Sequence, residues 1–296
     1  MKENHCLKSV LKHVGLAHSS YYYKQTFSKR GRKPSEFTKR KDGSLVHNST
    51  VIADIKNIYD KEEFACYGYT PVTHILKREY IINRKKVYRL MKEEKLLLEK
   101  IKKPAKNKCY AKFRELRNAT LFSNLQMDIK YIYIQGEKRN AYLLSIIDVF
   151  SKVNIGHLLS PTMKAKQAIG LVDYVFKAFN IEPHKISVSL RTDNGCQFIA
   201  TALREYLSKE DIKHEFTHIA TPEDNAYIES FHSILEKELV QRFEIDNLEQ
   251  GKELVFDYME WYNFRRIHSS LGYKTPMSVL KEACNKKIIQ NVSFLS

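Results

Sequence analysis

Apolar positions recur at helical spacing through the first third of the chain and give way to short β-rich runs after residue 120. Leu7, Val10, Leu11 and Val14 form a stripe ended by Gly15, with Tyr21, Tyr22 and Tyr23 behind it, which predicts a short helical piece. Val51, Ile52, Ile55 and Ile58 predict a longer helix. Thr70-Pro71, an N-cap and first-turn pair, opens another through Val72, Ile75 and Leu76. Asn83 caps a third, whose Val87, Leu90 and Met91 face inward. Two short helices with a brief connection, the second one basic, predict a helix-turn-helix that presents Arg84, Lys85, Lys86, Arg89 and Lys92 to the major groove of double-stranded DNA. An ordinary helical bundle with a solvated basic face is the competing interpretation.

After Leu121, the runs LQMDIKYIYI, NAYLLSIIDVFS and VNIGHLLS predict three strands, separated by turns at Gln135-Gly136 and Ser151-Lys152. Residues 164–180 carry a helical stripe, and KISVSLRTD predicts a fourth strand that ends at the Asn194-Gly195 turn. A helix over 199–209, a strand over 212–218 and an amphipathic helix over 224–241 follow. The class is therefore α/β, a mixed sheet covered by helices on both sides.

Charge divides the chain in the same place. Residues 1–120 hold 29 Lys and Arg against 12 Asp and Glu, a net of +17, while the remainder nets −1. Such asymmetry points to a polyanion-binding module joined to a differently tasked domain. The predicted organisation is a basic helical piece and linker over 1–50, an all-α helix-turn-helix region over 51–100 and a basic linker over 101–118. A catalytic core over 119–264 and a C-terminal extension over 265–296 complete it. The five cysteines (Cys6, Cys66, Cys109, Cys196, Cys284) are odd in number, far apart and never in a metal-knuckle spacing, so free thiols are expected. With no apolar run of about 18 residues and a polar N-terminus, a cytoplasmic protein without membrane contact is expected.

Three carboxylates carry the candidate chemistry. Asp128 interrupts an apolar strand, where an acid is disfavoured. Asp193 ends the fourth strand, and Glu229 lies one to two turns into the last predicted helix. Taken singly, a strand-end Asp is an ordinary turn former and a helical Glu is ordinarily solvated. If the first and fourth strands are neighbours and the helix crosses them, the three meet, and a divalent cation such as Mg²⁺ relieves their repulsion. That is the equipment of two-metal phosphodiester chemistry.

Asp128, the Arg191-Thr192-Asp193-Asn194-Gly195 turn and Asp224-Asn225-Ala226-Tyr227-Ile228-Glu229, with 35 residues between Asp193 and Glu229, resemble the DDE transposases of the insertion-sequence-three family, relatives of retroviral integrases. Tyr67-Gly68-Tyr69, the run NRKKVYRLMKEEKL, Trp261-Tyr262-Asn263, Arg265-Arg266, His268, Leu271-Gly272-Tyr273 and Thr275-Pro276 are similar to further elements of that family. The resemblance implies an RNase H-like core in which Asp128, Asp193 and Glu229 bind two Mg²⁺ or Mn²⁺ ions. One ion would activate water or a DNA 3′-hydroxyl and the other would stabilise the leaving oxygen. It further implies action on insertion-sequence ends and target DNA, a homo-oligomer on DNA, and a partner protein, OrfA, from an upstream frame.

This chain departs from the family in two places. Thr70-Pro71 replaces the basic pair that often follows the tyrosine-glycine-tyrosine element. Glu236 stands seven residues after Glu229, about two turns along the same helix face, where the family often has Lys or Arg; Lys237 points about 100° away. His232 and Ser233 are candidates for orienting DNA, as are Asn194 and Lys237, and Arg265, Arg266 and His268 are candidate phosphate contacts.

Other features are decoys. His214-Glu215-Phe216-Thr217-His218 fits a zinc-protease pattern, yet its flanks read as a short strand stopped by Pro222 rather than a helix. Asp148 is expected to serve as a turn residue, and Tyr258, Trp261, Tyr262 and Phe264 as core aromatics. Two rivals to a transposase remain open: a DNA-binding regulator without activity, and an RNase H-like nuclease that cuts without joining.

Overall fold

A computed structural model describes residues 7–23, 34–98, 120–217 and 225–286. The linker expected over 101–118, part of the basic stretch before residue 34, and His218 lie outside those residues.

The short N-terminal stripe forms α1 (Leu7–His13) and α2 (His18–Tyr21). The next segment corrects the sequence expectation. Residues taken as linker form a hairpin, β1 (Phe37–Arg40) and β2 (Leu45–His47), closed by Asp42, whose Oδ1 accepts from Ser44 N at 2.8 Å, and by Gly43 at φ +95°. α3 (Asn48–Lys61) begins directly after it, α4 (Tyr69–Leu76) follows, and β3 (Tyr80–Ile81) pairs antiparallel with β1. The region is thus not all-α: its helices share a three-stranded sheet of order β2-β1-β3. α5 (Arg84–Glu93) starts as expected, with Asn83 Oδ1 accepting from Lys86 N at 2.9 Å. α4 starts two residues early, with Gly68 as its N-cap, so Pro71 falls within the first turn, where a missing N–H costs nothing.

The larger unit is built on β4 (Asn124–Ile134), β5 (Arg139–Asp148) and β6 (Asn154–Ser160), an antiparallel meander. α6 (Ala165–Ala178) and α7 (Pro183–Ile186) cross over to β7 (Ser189–Thr192), which pairs parallel with β4. α8 (Cys196–Ile199) and α9 (Thr201–Lys209) lead to β8 (Lys213–Phe216), parallel to β7. The sheet order is β6-β5-β4-β7-β8, the mixed sheet the pattern predicted. α10 (Ala226–Leu235) passes into one π-helical turn over Glu236–Val240, and α11 (Leu248–Phe264) and α12 (Pro276–Lys286) follow.

Alternation along the sheet gives two apolar layers. Leu125 and Met127 of β4 pack with Leu171, Val175, Leu203 and Leu207 of α6 and α9. Met277, Leu280 and Cys284 of α12 join this layer, so the region read as a C-terminal extension is part of the core packing. Ile132 and Ile134 face the other layer with Phe231, Tyr258, Trp261 and Tyr262. That layer continues without a break into Val51, Ile55, Phe64, Tyr67 and Val87 of the helix-turn-helix region. Phe64 is the link: its ring lies 5.4 Å from Tyr258, 5.4 Å from Phe243 and 5.9 Å from Trp261. Among the described residues no helix is long and apolar enough to cross a membrane.

Candidate active site

Parallel pairing brings the first two candidate carboxylates level. Gln126 of β4 stands opposite Arg191 of β7, and carrying that register forward two residues aligns Asp128 with Asp193, which lies just past the end of β7. Asp193 titrates above the ordinary carboxylate range. Partial burial is the main cause and the negative charge of Asp128 adds to it, while a bond from Gly195 N to Asp193 Oδ1, at 2.9 Å, opposes. Asp128 Oδ1 accepts from its neighbour Ile129 N at 2.8 Å.

α10 lies along β4 rung by rung. Gln126 Oε1 accepts from Ile228 N at 2.9 Å, Asp128 Oδ2 faces His232 Nδ1 at 3.4 Å, and Lys130 Nζ meets Glu236 Oε2 at 2.7 Å. Residues 126, 128 and 130 share one strand face, and residues 228, 232 and 236 share one helix face. Two strand residues rise about 6.7 Å and four helical residues about 6.0 Å, which is why the rungs stay matched. Glu229 follows Ile228 and is exposed, one turn before His232. Among the described residues no group of three His, Cys, Asp or Glu stands within reach of a common ion; the register and the charge of Asp128 felt at Asp193 bring those two together, and Glu229 is carried on the helix laid along β4. The aspartate pair itself fits a hard divalent cation, because two carboxylates whose charges oppose one another are what such an ion neutralises.

The expected DNA contacts divide into open and occupied side chains. Arg84, Lys85 and Lys92 are exposed on α5, with Tyr88 between them. Lys86 and Arg89 instead hold the hairpin: Lys86 Nζ donates to Phe37 O at 2.5 Å and Arg89 donates to Ser35 O at 3.4 Å. Lys237 is exposed on the π turn, and Asn194 is exposed with its amide donating to Thr217 O at 2.9 Å. Arg265 is exposed and lies 3.5 Å from Glu62.

Three residues are corrected. His232 is buried against Asp128, so it does not reach DNA. Arg266 is partly buried, its Nε and terminal nitrogen each 2.8 Å from an oxygen of buried Glu238, in a two-pronged bond. His268 is buried beside it, its Nε2 3.2 Å from the guanidinium, and burial followed by the charges of Arg266 and Lys152 pushes its pKa down to about 3. Partners distant in the chain, Asp128 and Glu238, claim His232 and Arg266, and Arg266 in turn holds His268.

Gln126 and Lys152, to which the sequence pattern assigned no role at the site, complete the frame. Gln126 is a polar residue buried between Leu125 and Met127, a signal of the same kind that marked Asp128. Lys152, in the turn before β6, lies 3.5 Å over the ring of Tyr227 in the first turn of α10. Tyr67 and Trp261 meet where the two units join: Ile267 N donates to Tyr67 Oη at 3.3 Å, and Trp261 Nε1 donates to Glu62 at 2.9 Å. Asp148 is the turn residue expected, accepting from Phe122 N, Ser151 N and Ser151 Oγ. His214 and Glu215 sit on β8, bound to Thr192 and Arg191, in a strand rather than the helix a zinc protease needs.

Two family models described as integrase core domain match residues 122–222 and 210–276, and an HTH-like domain model matches residues 47–104. Residues 122–276 are therefore similar to an integrase core domain. Asp128 and Asp193 fall within the first integrase core match and Glu229 within the second. The HTH-like match covers α3 to α5 and leaves β1 outside. The chain is 28% identical over 290 residues to InsK of insertion sequence element IS150 of Escherichia coli strain K12, covering 94% of each. It is 29% identical over 238 residues to the transposase InsD of insertion element IS2 of Escherichia coli, covering 75% of this chain and 76% of that one. Among solved structures it is similar to the catalytic core domain of HTLV-2 integrase in complex with magnesium, at 17% identity and a TM-score of 0.43, covering 55% of this chain and 99% of that one.

Proposed function

We propose that this protein is a DNA transposase that cleaves and joins strands at the ends of an insertion sequence, acting in the cytoplasm as a homo-oligomer on DNA. Asp128, Asp193 and Glu229 are its acidic residues and Mg²⁺ or Mn²⁺ its metal. The observation that carries this is the levelling of Asp128 with Asp193 across β4 and β7, with the Glu229 helix laid on the same strand. Support also comes from the relative named as a transposase and from the exposed basic side chains of α5.

When bound, a divalent cation supplies activation of the attacking oxygen and neutralisation of the phosphate charge. The protein's own part is orientation. Gly195 N–H and Ile129 N–H each hold one carboxylate oxygen, which fixes the two aspartates before DNA arrives. Arg84, Lys85 and Lys92 hold the end duplex through its phosphates and groove. OrfA would be a separate partner.

The test is strand transfer on a labelled end duplex with a target duplex, with and without Mg²⁺. Asp128→Asn, Asp193→Asn and Glu229→Gln should each abolish product while leaving end binding largely intact. Cleavage without joined product would make the protein a nuclease. Binding without cleavage would make it a regulator. Full activity in any one variant would remove that residue from the site.

A further inference from the structure

We infer that the Lys130–Glu236 ion pair is a positioning pair, fixing the height of α10 along β4 and so the approach of Glu229 to the two aspartates. It rests on the transposase proposal above. Lys130 is the next position on the Asp128 face of β4, and Glu236 is the next rung on α10 after Ile228 and His232. The pair closes at 2.7 Å with side chains 18% and 34% exposed, screened enough from water to hold one geometry.

Its place along the helix matters as much as its charge. Glu236 is the residue at which α10 gives way to the π turn, and beyond it the chain is held separately, by Glu238 to Arg266 and Tyr258. Lys130 therefore grips the last residue whose register still belongs to Glu229. One residue of slip moves a helix by about 1.5 Å, and a displacement of that size at reacting groups costs on the order of 10²-fold in rate. The ammonium of Lys130 is directed at the helix, so its role is to place Glu229 and not to grip phosphate.

The experiment uses the full chain and single-turnover strand transfer across a Mg²⁺ titration. Lys130→Glu and Glu236→Lys should each slow transfer by about ten-fold or more and raise the Mg²⁺ needed for half-maximal rate, with end-DNA affinity within about two-fold of wild type. The double reversal should return to within about three-fold of wild type, because opposite charges again meet at the same rung. Lys130→Arg should keep the rate and Lys130→Met lose it, which decides the matter if a reversal does not fold. A double reversal no faster than Lys130→Glu, or a Glu236→Lys faster than wild type, would make Lys130 a DNA contact and overturn the inference. An active wild type matched by Lys130→Met overturns the pair alone. A wild type without metal-dependent transfer overturns the transposase proposal with it.

Discussion

His232 Nδ1 stands 3.4 Å from Asp128 Oδ2, the residue is 8% exposed, and its Nε2 has no hydrogen-bond partner among the described residues. A helix-borne imidazole thus stands against a strand-borne carboxylate, and if Asp128 holds metal as proposed, His232 is placed to orient that ligand without touching the metal. His232→Ala should slow strand transfer by about 10–100-fold and raise the Mg²⁺ requirement, with end binding unchanged. His232→Asn, which keeps a donor at that level, should recover part of the rate. Equal Mg²⁺ curves for His232→Ala and wild type would remove that role.

The α5 surface makes a second prediction, because its five basic residues do two different jobs. Arg84 and Lys92 are open, while Lys86 caps the hairpin carbonyl of Phe37. Arg84→Ala and Lys92→Ala should each weaken end-DNA binding and lower the slope of log affinity against log salt by about one. Lys86→Met should leave that slope closer to wild type and lower the unfolding midpoint of the helix-turn-helix region. Binding isotherms at several salt concentrations check both. A larger slope change for Lys86→Met than for Arg84→Ala would reverse the assignment.

Acid should weaken the fold before the carboxylates titrate. His268 has an ordinary value of 6.5 and a folded value pushed down to about 3, first by burial and then by Arg266 and Lys152. Between those values the unfolded chain binds a proton that the folded chain refuses, so stability falls as pH falls. His157, pushed down to about 4 by burial, acts with the same sign. Each contributes up to about 1.4 kcal/mol per pH unit in that window. Urea unfolding at pH 7 and pH 5 should show the loss, and His268→Gln should flatten it by about one proton's worth. An identical pH slope in the variant would mean that His268 titrates normally in the folded state.

What the chain disclosed by itself follows from the range of the interactions. Asp128 was legible because an acid inside QMDIKYIYI breaks a local rule, and α5 because Asn83 and the apolar stripe are neighbours in sequence. The β1–β2 hairpin was not, since strands of four and three residues among Lys39, Arg40 and Lys41 carry too few apolar positions to show a period. Its Asp42-Gly43 turn was the available signal. Glu236 looked out of place for want of its partner, Lys130, which belongs to a strand more than a hundred residues earlier. Tyr67 and Trp261 stood in motifs matched by resemblance, and the structure gives them a physical task at the junction of the two units.

Arg266 tests the difference between a basic residue that binds DNA and one that holds the fold. Its side chain is 13% exposed, and its guanidinium bonds both oxygens of Glu238, which is 3% exposed and otherwise accepts from Tyr258 at 3.1 Å. Glu238 titrates above its ordinary range because burial outweighs that pairing, so the carboxylate depends on the arginine to stay charged. Arg266→Ala would strand a buried acid, at a cost of about 3–5 kcal/mol in urea unfolding. Adding Glu238→Gln should restore part of that loss, because a neutral amide is cheaper to bury than an uncompensated charge. Measured on the folded fraction, the salt dependence of end binding should match wild type in both variants. A salt slope lowered by about one, with no change in stability, would return Arg266 to the DNA interface.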